Sequence, residues 1–345
     1  MGLSYHAVGW NRQKRRYDLA LWLGIVVYLG AFIGMGAATS HATIETLLIR
    51  GLGSGAFVLL HLILAIGPLS RLSPRFMALL YNRRHMGVSM FLLALGHGIF
   101  ATIQFHTLGT LNPLVSILAG NDMYASISAF PFQTLGLLAL LLLFMLAATS
   151  HDFWMANLTP PVWKALHMSV YVAYALLIGH VALGSLQAEP NPLLAGLTGG
   201  GLLLIGGLHA VAGWRERAKD EETEAVPDDQ GFLDVCSVHD LREKRGHIVT
   251  VTGERVAIFL YDGKVSAVSN VCAHQNGPLG EGRIIDGCIT CPWHGFQFDP
   301  ANGRAPAPFT DKIPTFDVRL DGERVLVAAA PNLPGTPTTP AILDA

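Results

Sequence analysis

Charged side chains are scarce in this sequence. Only 14% of its 345 residues are Asp, Glu, Lys or Arg, and 51% are hydrophobic, whereas soluble domains carry about 25% charged residues. Residues 1–214 hold five acidic residues against ten basic ones, and residues 215–345 hold 20 against 13. The scarcity excludes an ordinary soluble protein, and the uneven charge indicates two domains in different solvents.

Cysteines and nucleotide-binding fingerprints are also scarce. The four cysteines (Cys236, Cys272, Cys288 and Cys291) all lie in the acidic part, which argues against a disulfide framework and favours a reducing compartment. The glycine-rich "GLGSG" at 51–55 has no strand before it and leads into an apolar helix. No flavin or nicotinamide site is therefore predicted, no nucleic-acid partner is expected, and a separate reductase is implied.

Long apolar runs are what the first part does contain. A bilayer core needs about 20 apolar residues per helix, and six stretches qualify: 19–38, 51–69, 87–105, 130–149, 162–184 and 194–213. The first is longer than the apolar region of a signal peptide, about 7 to 15 residues, so we predict that it is retained. The basic residues cluster at one set of span ends: Arg12, Lys14, Arg15, Arg16, Arg71, Arg75, Arg83, Arg84, Lys164, Arg215, Arg217 and Lys219. The opposite loops hold only Arg50, which predicts that both termini are cytoplasmic.

Histidines within apolar spans are costly and indicate function. His97 lies about 20 Å along its helix from Arg84, and His180 lies about 24 Å from Lys164. Both therefore reach one plane in the outer half of the bilayer. Two imidazoles facing each other there could hold a b-type haem.

A second, inner haem is left open. His167 lies near Lys164, and its possible partners on the third span are His85 or Arg83. Relative to His97, His85 is about 120° away around the helix and Arg83 about 40°. Around the axis of a regular helix, His167 and His180 point about 140° apart. Both can therefore face one partner helix only if their own helix is irregular, or if each histidine binds its haem from the side of the helix. The remaining candidates are predicted to be packing or membrane-edge residues: His61, His209 and His151.

Four segments carry a family resemblance: "RGLGSGAFVLLHLILAIGPLSR" (50–71), "RRHMGVSMFLLALGH" (83–97), "LAATS" (146–150) and "VWKALHMSVYVAYALLIGH" (162–180). They resemble the ferric reductase-like transmembrane family, and more closely the haem-binding membrane subunits of bacterial periplasmic methionine sulfoxide reductase systems. The resemblance implies His97, His167 and His180 as haem ligands. It also implies a multi-pass protein of the bacterial inner membrane, whereas His61 and His151 depart from the family pattern.

The C-terminal part changes to short alternating segments. The pairs Asp262-Gly263 and Asp321-Gly322 predict hairpin turns in an all-β sandwich over residues 231–330. The loops of this domain contain two metal-ligand pairs, Cys272-x-His274 and Cys291-x-x-His294. Two cysteines on one iron and two histidines on the other define a Rieske [2Fe–2S] centre. Zinc is the alternative for such a set, but Cys-x-His is an unusual zinc spacing.

The segments around these ligands, "GPLGEG", "CPWHGFQFD" and "NGR", resemble Rieske ferredoxins. Respiratory Rieske proteins carry an extra cysteine in each ligand loop, and here those positions are Gly277 and Trp293. The resemblance therefore implies a potential near the low end of the range of about −150 to +300 mV. Cys236 and Cys288 are predicted to be packing residues.

The predicted architecture is an all-α six-helix transmembrane bundle plus a C-terminal all-β Rieske [2Fe–2S] domain. Its parts are a basic N-terminus (1–18), the haem-binding bundle (19–214), a charged linker (215–230), the Rieske domain (231–330) and a disordered Pro- and Thr-rich tail (331–345).

The predicted function is electron transfer across the membrane. A cytosolic flavoprotein or ferredoxin reductase would reduce the cluster, and electrons would pass through one or two b-type haems to an extracytoplasmic acceptor. That acceptor would be a methionine sulfoxide reductase, ferric iron or another small oxidant.

Two alternative functions stay open. A Rieske-fed oxygenase or desaturase needs a two-His, one-carboxylate iron site, for which Asp152 beside His151 is the one suggestive pair. A redox sensor would report the cluster state to a partner.

Overall fold

The computed structural model describes residues 12–80, 83–151, 154, 158, 160–189, 191–221, 226–274, 277–293 and 295–343. The chain divides into two compact units. One includes residues 10–72 and 82–210, and the other includes residues 73–81 and 211–345. The first is helical and the second contains all the strands.

The helices are α1 (Arg12–Thr39), α2 (Ile44–Leu72), α3 (Met77–Leu80), α4 (Arg83–His106), α5 (Pro113–Ala119), α6 (Phe132–Thr149), α7 (Pro160–Met168), α8 (Val170–Leu183), α9 (Ser185–Ala188), α10 (Pro192–Ala195) and α11 (Gly201–Glu221). Among the described residues, six helical segments are long and apolar enough to cross a membrane: Lys14–Thr39, Ile44–Leu72, Arg83–His106, Phe132–Thr149, Val162–Ala188 and Pro192–Arg217. The six predicted spans are therefore confirmed.

Helix α2 is the most enclosed of the six. Within its most apolar window 56% of the residues are buried, compared with 6% for α1. The core of the bundle forms around Leu60, Met90, Leu143 and Tyr174, while large apolar side chains such as Leu23 on α1 are exposed. Hydrocarbon accommodates such side chains as well as a protein interior does. Exposure of this kind is expected of a bundle that a bilayer surrounds.

The fifth span is not one regular helix. It consists of α7 and α8, which are interrupted at Ser169, and of α9, which follows the break at Gly184. His167 precedes the first break and His180 follows it. The two histidines therefore lie on different helices of the fifth span.

The C-terminal domain is all-β, as predicted. Its strands are β1 (Phe232–Ser237), β2 (Gly246–Val251), β3 (Glu254–Tyr261), β4 (Lys264–Ser269), β5 (Arg283–Ile285), β6 (Cys288–Thr290), β7 (Gln297–Phe298), β8 (Thr315–Phe316), β9 (Val318–Asp321), β10 (Arg324–Ala328) and β11 (Ala341–Ile342). They form three antiparallel sheets, with orders β1-β10-β9, β11-β4-β3-β2 with β8 beside β4, and β5-β6-β7.

Turn chemistry determines the register of the central hairpin. Asp262 and Gly263 both have positive φ, 48° and 71°, which is the backbone of the two-residue turn that joins twisted strands. The turn pairs Tyr261 with Lys264 and continues in register to Val256 and Ser269. Since β4 ends at Ser269, this register places the first predicted ligand loop directly after the hairpin.

The tail differs from its predicted disorder. Strand β11 pairs with β4, with Ala341 opposite Val265 and Ile342 opposite Lys264. Further backbone bonds run from the tail to the domain: Asn332 N to Thr315 O, Gly335 N to Ile313 O, Thr338 N to Ala301 O and Leu343 N to Gly263 O. The polar composition predicted disorder because it offers little apolar surface. Backbone pairing along an edge strand does not require apolar side chains, and that pairing orders the tail.

Deletion of residues 331–345 from the full chain should destabilise the β domain. The loss of the four backbone bonds named above, each worth about 0.5 to 1.5 kcal/mol net, predicts a decrease of about 2 to 6 kcal/mol in the free energy of unfolding. Thermal unfolding followed by the visible absorption of the cluster measures it. An unchanged midpoint would show that the tail contributes nothing to the fold.

Candidate functional site

The first predicted ligand loop follows β4 and is closed by backbone bonds. Asn270 N donates to Arg255 O at 2.9 Å, and Cys272 N donates to Gly277 O at 2.9 Å. The side-chain oxygen Oδ1 of Asn270 accepts from Gly280 N at 2.7 Å. These bonds hold Cys272 in a tight loop, where only 1% of its surface is exposed.

The second loop follows β6 in the same manner. Cys291 N donates to Phe296 O at 2.8 Å, and Gly295 N donates to Cys291 O at 2.9 Å. The chain then enters β7 at Gln297. Cys291 is also 1% exposed, so each predicted cysteine ligand lies on a short turn anchored to a strand.

The two loops contact each other. A Cβ atom at Gly277 would lie 2.6 Å from Cys291 Sγ and 3.3 Å from Trp293, so the first loop can approach the second only with glycine there. The His274 ring stacks on Phe296 of the second loop, with ring centroids 4.7 Å apart and planes 3° from parallel. Cys272 and Cys291 belong to one buried cluster. The structure therefore brings together three of the four predicted ligand positions.

His294, the fourth, lies outside the residues that the structure describes. Among those that it describes, no group of three or more His, Cys, Asp or Glu side chains forms a ready metal site. The donor set nevertheless fits a [2Fe–2S] cluster, because two buried cysteines lie in adjoining loops and His274 has a buried Nδ1 atom. Thiolate and imidazole donors are the ligands that a Rieske cluster uses.

Cys288 and Cys236 lie outside the predicted ligand set. None of the four cysteines forms a disulfide. Burial raises the pKa of the Cys288 thiol to about 11, with nearby Asp299 and Asp286 adding to the effect. Burial likewise raises the pKa of Cys236 to about 11. Because metal binding requires the thiolate, these pKa values favour neutral packing residues.

In the helical unit, His97 of α4 and His180 of α8 lie close together. Their ring centroids are 6.1 Å apart and their planes are 83° apart. Two imidazoles bound to one metal through nitrogen at about 2.0–2.1 Å place their ring centres about 6 Å apart. The pair would therefore suit two imidazole ligands of a single metal ion.

The Nδ1 atom of each of these two histidines is hydrogen-bonded to a backbone carbonyl. His97 Nδ1 donates to Ile49 O at 2.9 Å, and His180 Nδ1 donates to Phe132 O at 2.9 Å. A protonated Nδ1 leaves Nε2 with the lone pair that binds a metal. Sequence reasoning identified both histidines but not these two carbonyls.

The inner-layer candidates have separate partners. His85 Nδ1 lies 2.7 Å from Asp18 Oδ1 of α1. His167 stacks on Trp163 with ring centroids 3.7 Å apart, and its Nδ1 donates to Trp163 O at 3.1 Å. Its Nε2 lies 3.5 Å from Ser150 Oγ. The sequence could not anticipate the Asp18 contact, because it depends on how α1 packs beside α4.

His61 and His209 are hydrogen-bonded within the bundle. His61 Nδ1 donates to Phe57 O at 2.8 Å, and its Nε2 lies 2.9 Å from Tyr174 Oη. His209 Nε2 lies 2.9 Å from Tyr171 Oη, and its Nδ1 donates to Ile205 O at 2.9 Å. Both ring nitrogens of each histidine therefore have protein partners, which is consistent with the packing role.

Fold and sites define a multi-pass membrane oxidoreductase. The family described as "Rieske [2Fe-2S] domain" matches residues 231–317, and that described as "Ferric reductase like transmembrane component" matches residues 50–178. The chain belongs to the Rieske family, and it joins that domain to a ferric reductase-like membrane domain.

Curated relatives match the Rieske part. The ferredoxin component of a naphthalene 1,2-dioxygenase system from Pseudomonas aeruginosa is 32% identical over 97 residues, which is 28% of this chain and 93% of the relative. The ferredoxin component of an alkene monooxygenase system from Xanthobacter autotrophicus is 31% identical over 108 residues, covering 31% of this chain and 88% of the relative. The solved ferredoxin of Sphingomonas yanoikuyae B1 is 31% identical and covers 28% of this chain and 96% of that chain, with a TM-score of 0.26. The two family matches and the two ferredoxin relatives support a Rieske [2Fe–2S] cluster, redox partners and a role in electron transfer.

Replacement of single cysteines tests which thiols hold the cluster. Cys272→Ala and Cys291→Ala should abolish the visible absorption and the low-temperature EPR signal of the reduced cluster, because each removes a predicted thiolate ligand. Cys288→Ala is the matched control. It should retain both signals while lowering stability by about 1 kcal/mol, the usual effect of a point mutation. Equal loss of cluster in all three variants would remove the distinction between ligand and packing cysteines.

Proposed function

We propose that the chain carries electrons from a cytosolic reductant, through its Rieske cluster and one b-type haem, to an acceptor outside the cytoplasm of a bacterial inner membrane. Cys272, His274, Cys291 and His294 would hold the cluster, and His97 and His180 would hold the haem. The two groups supply one-electron carriers, which protein side chains alone do not provide.

The facing pair of His97 and His180 supports the haem assignment best. Their centroid separation of 6.1 Å suits two nitrogens on one iron. Each Nδ1 is occupied by a backbone carbonyl, so each ring keeps Nε2 for the metal. His61 and His209, which have partners at both ring nitrogens, lack this arrangement.

The distribution of basic residues and the depth of the histidine pair support electron flow from the cytoplasm outward. The basic residues flank the ends of spans that would face the cytoplasm, together with the chain ends. The carbonyls that bind the histidines belong to Ile49, near the start of α2, and Phe132, the first residue of α6. Both helices start on the side opposite to those basic residues. The His97/His180 pair would therefore lie towards the outside, nearer an extracytoplasmic acceptor.

The loop residues around the cluster support its role as the donor to the haem. Gly277 and Trp293 occupy the positions at which respiratory Rieske proteins carry a disulfide, and none of the four cysteines here forms one. Two of the matched relatives are ferredoxin components of oxygenase systems. A comparable low-potential cluster in this chain would take electrons from a cytosolic flavoprotein or ferredoxin reductase. The proposed acceptor is a methionine sulfoxide reductase, ferric iron or another small oxidant.

Histidine replacements test the haem site. His97→Ala and His180→Ala in the full-length purified protein should each lose most of the bound haem and the bis-histidine absorption spectrum, because each removes one axial ligand. His209→Ala is the control from the same bundle and should retain its haem. Haem retention in both ligand variants would exclude this assignment. Non-haem iron in excess of the cluster would favour an oxygenase instead.

A comparison of inverted and right-side-out membrane vesicles tests the proposed direction of electron flow. An NADH-dependent flavoprotein reductase added to inverted membrane vesicles should reduce the haem, because the Rieske domain then faces the added enzyme. Right-side-out vesicles should show no reduction, and neither should inverted vesicles of the Cys291→Ala variant. Reduction in right-side-out vesicles but not in inverted ones would place the Rieske domain outside the cytoplasm and contradict the proposed direction.

A further inference from the structure

The surroundings of His97 and His180 share one arrangement. In each case the histidine lies 48 residues after the residue whose carbonyl accepts its Nδ1 proton. The pair Leu52-Gly53 on α2 corresponds to Leu135-Gly136 on α6, and Gly96-His97 corresponds to Gly179-His180. Each residue of the second set follows its counterpart by the same number of positions.

The packing contacts repeat as well. A Cβ at Gly96 would lie 3.3 Å from Leu52 Cδ1, and a Cβ at Gly179 would lie 3.0 Å from Leu135 Cδ1. The leucine of the first helix thus packs on the glycine that precedes the histidine of the second helix. Two helix pairs, α2 with α4 and α6 with α8, therefore use the same sequence positions to present one histidine each.

The glycine of the first helix allows each imidazole to reach its carbonyl. A Cβ at Gly53 would lie 2.8 Å from His97 Nδ1, and a Cβ at Gly136 would lie 2.7 Å from His180 Nδ1. Each glycine follows the accepting residue by four positions, so its own N–H donates to the same carbonyl within the helix. The ring edge therefore lies directly over the helical turn, and a side chain at the glycine would push it away from the oxygen.

We propose that the turns Ile49–Gly53 and Phe132–Gly136 are positioning elements for the two haem ligands. Each carbonyl holds its histidine in the tautomer protonated at Nδ1, and each glycine lets the ring approach closely enough for this bond. Together they direct both Nε2 atoms towards one iron and set the angle between the rings. This inference rests on the proposed haem site.

Groups that hydrogen-bond to a metal-binding histidine influence the metal site in measurable ways. They orient the ligand and raise its basicity, and their loss commonly lowers metal affinity by about 10- to 100-fold. Hydrogen bonding to an axial ligand also affects the reduction potential of the haem. Glycines in membrane helices also serve helix packing alone, and that role would leave the spectroscopy of the haem unchanged.

The test compares Gly53→Ala and Gly136→Ala with Gly207→Ala in the full-length protein. An added Cβ at Gly207, which lies on α11, meets no atom within 4 Å. The readouts are haem content by pyridine haemochrome, the low-spin EPR g-values and the midpoint potential of the haem. Both variants in the positioning turns should bind haem about 10- to 100-fold more weakly, with shifted g-values and potential. The Gly207→Ala control should match the wild type.

Variants in the positioning turns that match the control in all three readouts would overturn the inference while leaving the haem site intact. A wild-type protein without haem would instead overturn the proposed function. If the two variants do not accumulate, NMR of the ferrous wild-type protein labelled with 15N-histidine provides the second measurement. Slowly exchanging Nδ1 protons on both ligands are expected, and fast exchange on both would contradict the carbonyl bonds.

Discussion

The arrangement of the helical domain depends on how it accommodates histidine in a hydrocarbon environment. An imidazole without partners there is costly. His97 and His180 each have their Nδ1 proton bound by a backbone carbonyl from a neighbouring helix. These bonds tie α4 to α2 and α8 to α6, and they leave Nε2 of each ring with the lone pair that the proposed haem site would use. Helix packing and ligand orientation are thereby set by the same two contacts.

The β domain also has to hold its predicted metal ligands in place, and it does so with loops. Backbone bonds from Cys272 to Gly277 and from Cys291 to Phe296 make two tight turns, and Gly277 lets these turns meet without a side chain between them. Strands β4 and β6 anchor the turns to a buried core. The cluster site is thus built from short loops on a rigid sheet scaffold, which favours electron transfer because little has to reorganise.

Much of this organisation could be predicted from the sequence. The membrane spans could be predicted because hydrocarbon requires long apolar runs. The β domain could be predicted from its alternation of apolar and polar residues and from its Asp-Gly turns. His97 and His180 were predicted to meet from their matched depth and from the family resemblance, and the structure brings them together. The pairing of His85 with Asp18 was not predictable, since it depends on the packing of α1. Strand β11 was missed because backbone pairing leaves no compositional signal. The carbonyls of Ile49 and Phe132 were missed because backbone acceptors carry no residue-specific mark, although the repeated Leu-Gly and Gly-His pairs could have indicated them.

The central claim is that the cluster passes electrons to a haem held by His97 and His180. A redox titration of the purified full-length protein, followed by EPR for the cluster and by visible absorption for the haem, tests this claim most directly. The account predicts one low-spin bis-histidine haem per chain at this site, with a midpoint potential above that of the Rieske cluster. A cluster potential well above that of the haem, or a protein that binds no haem, would contradict it.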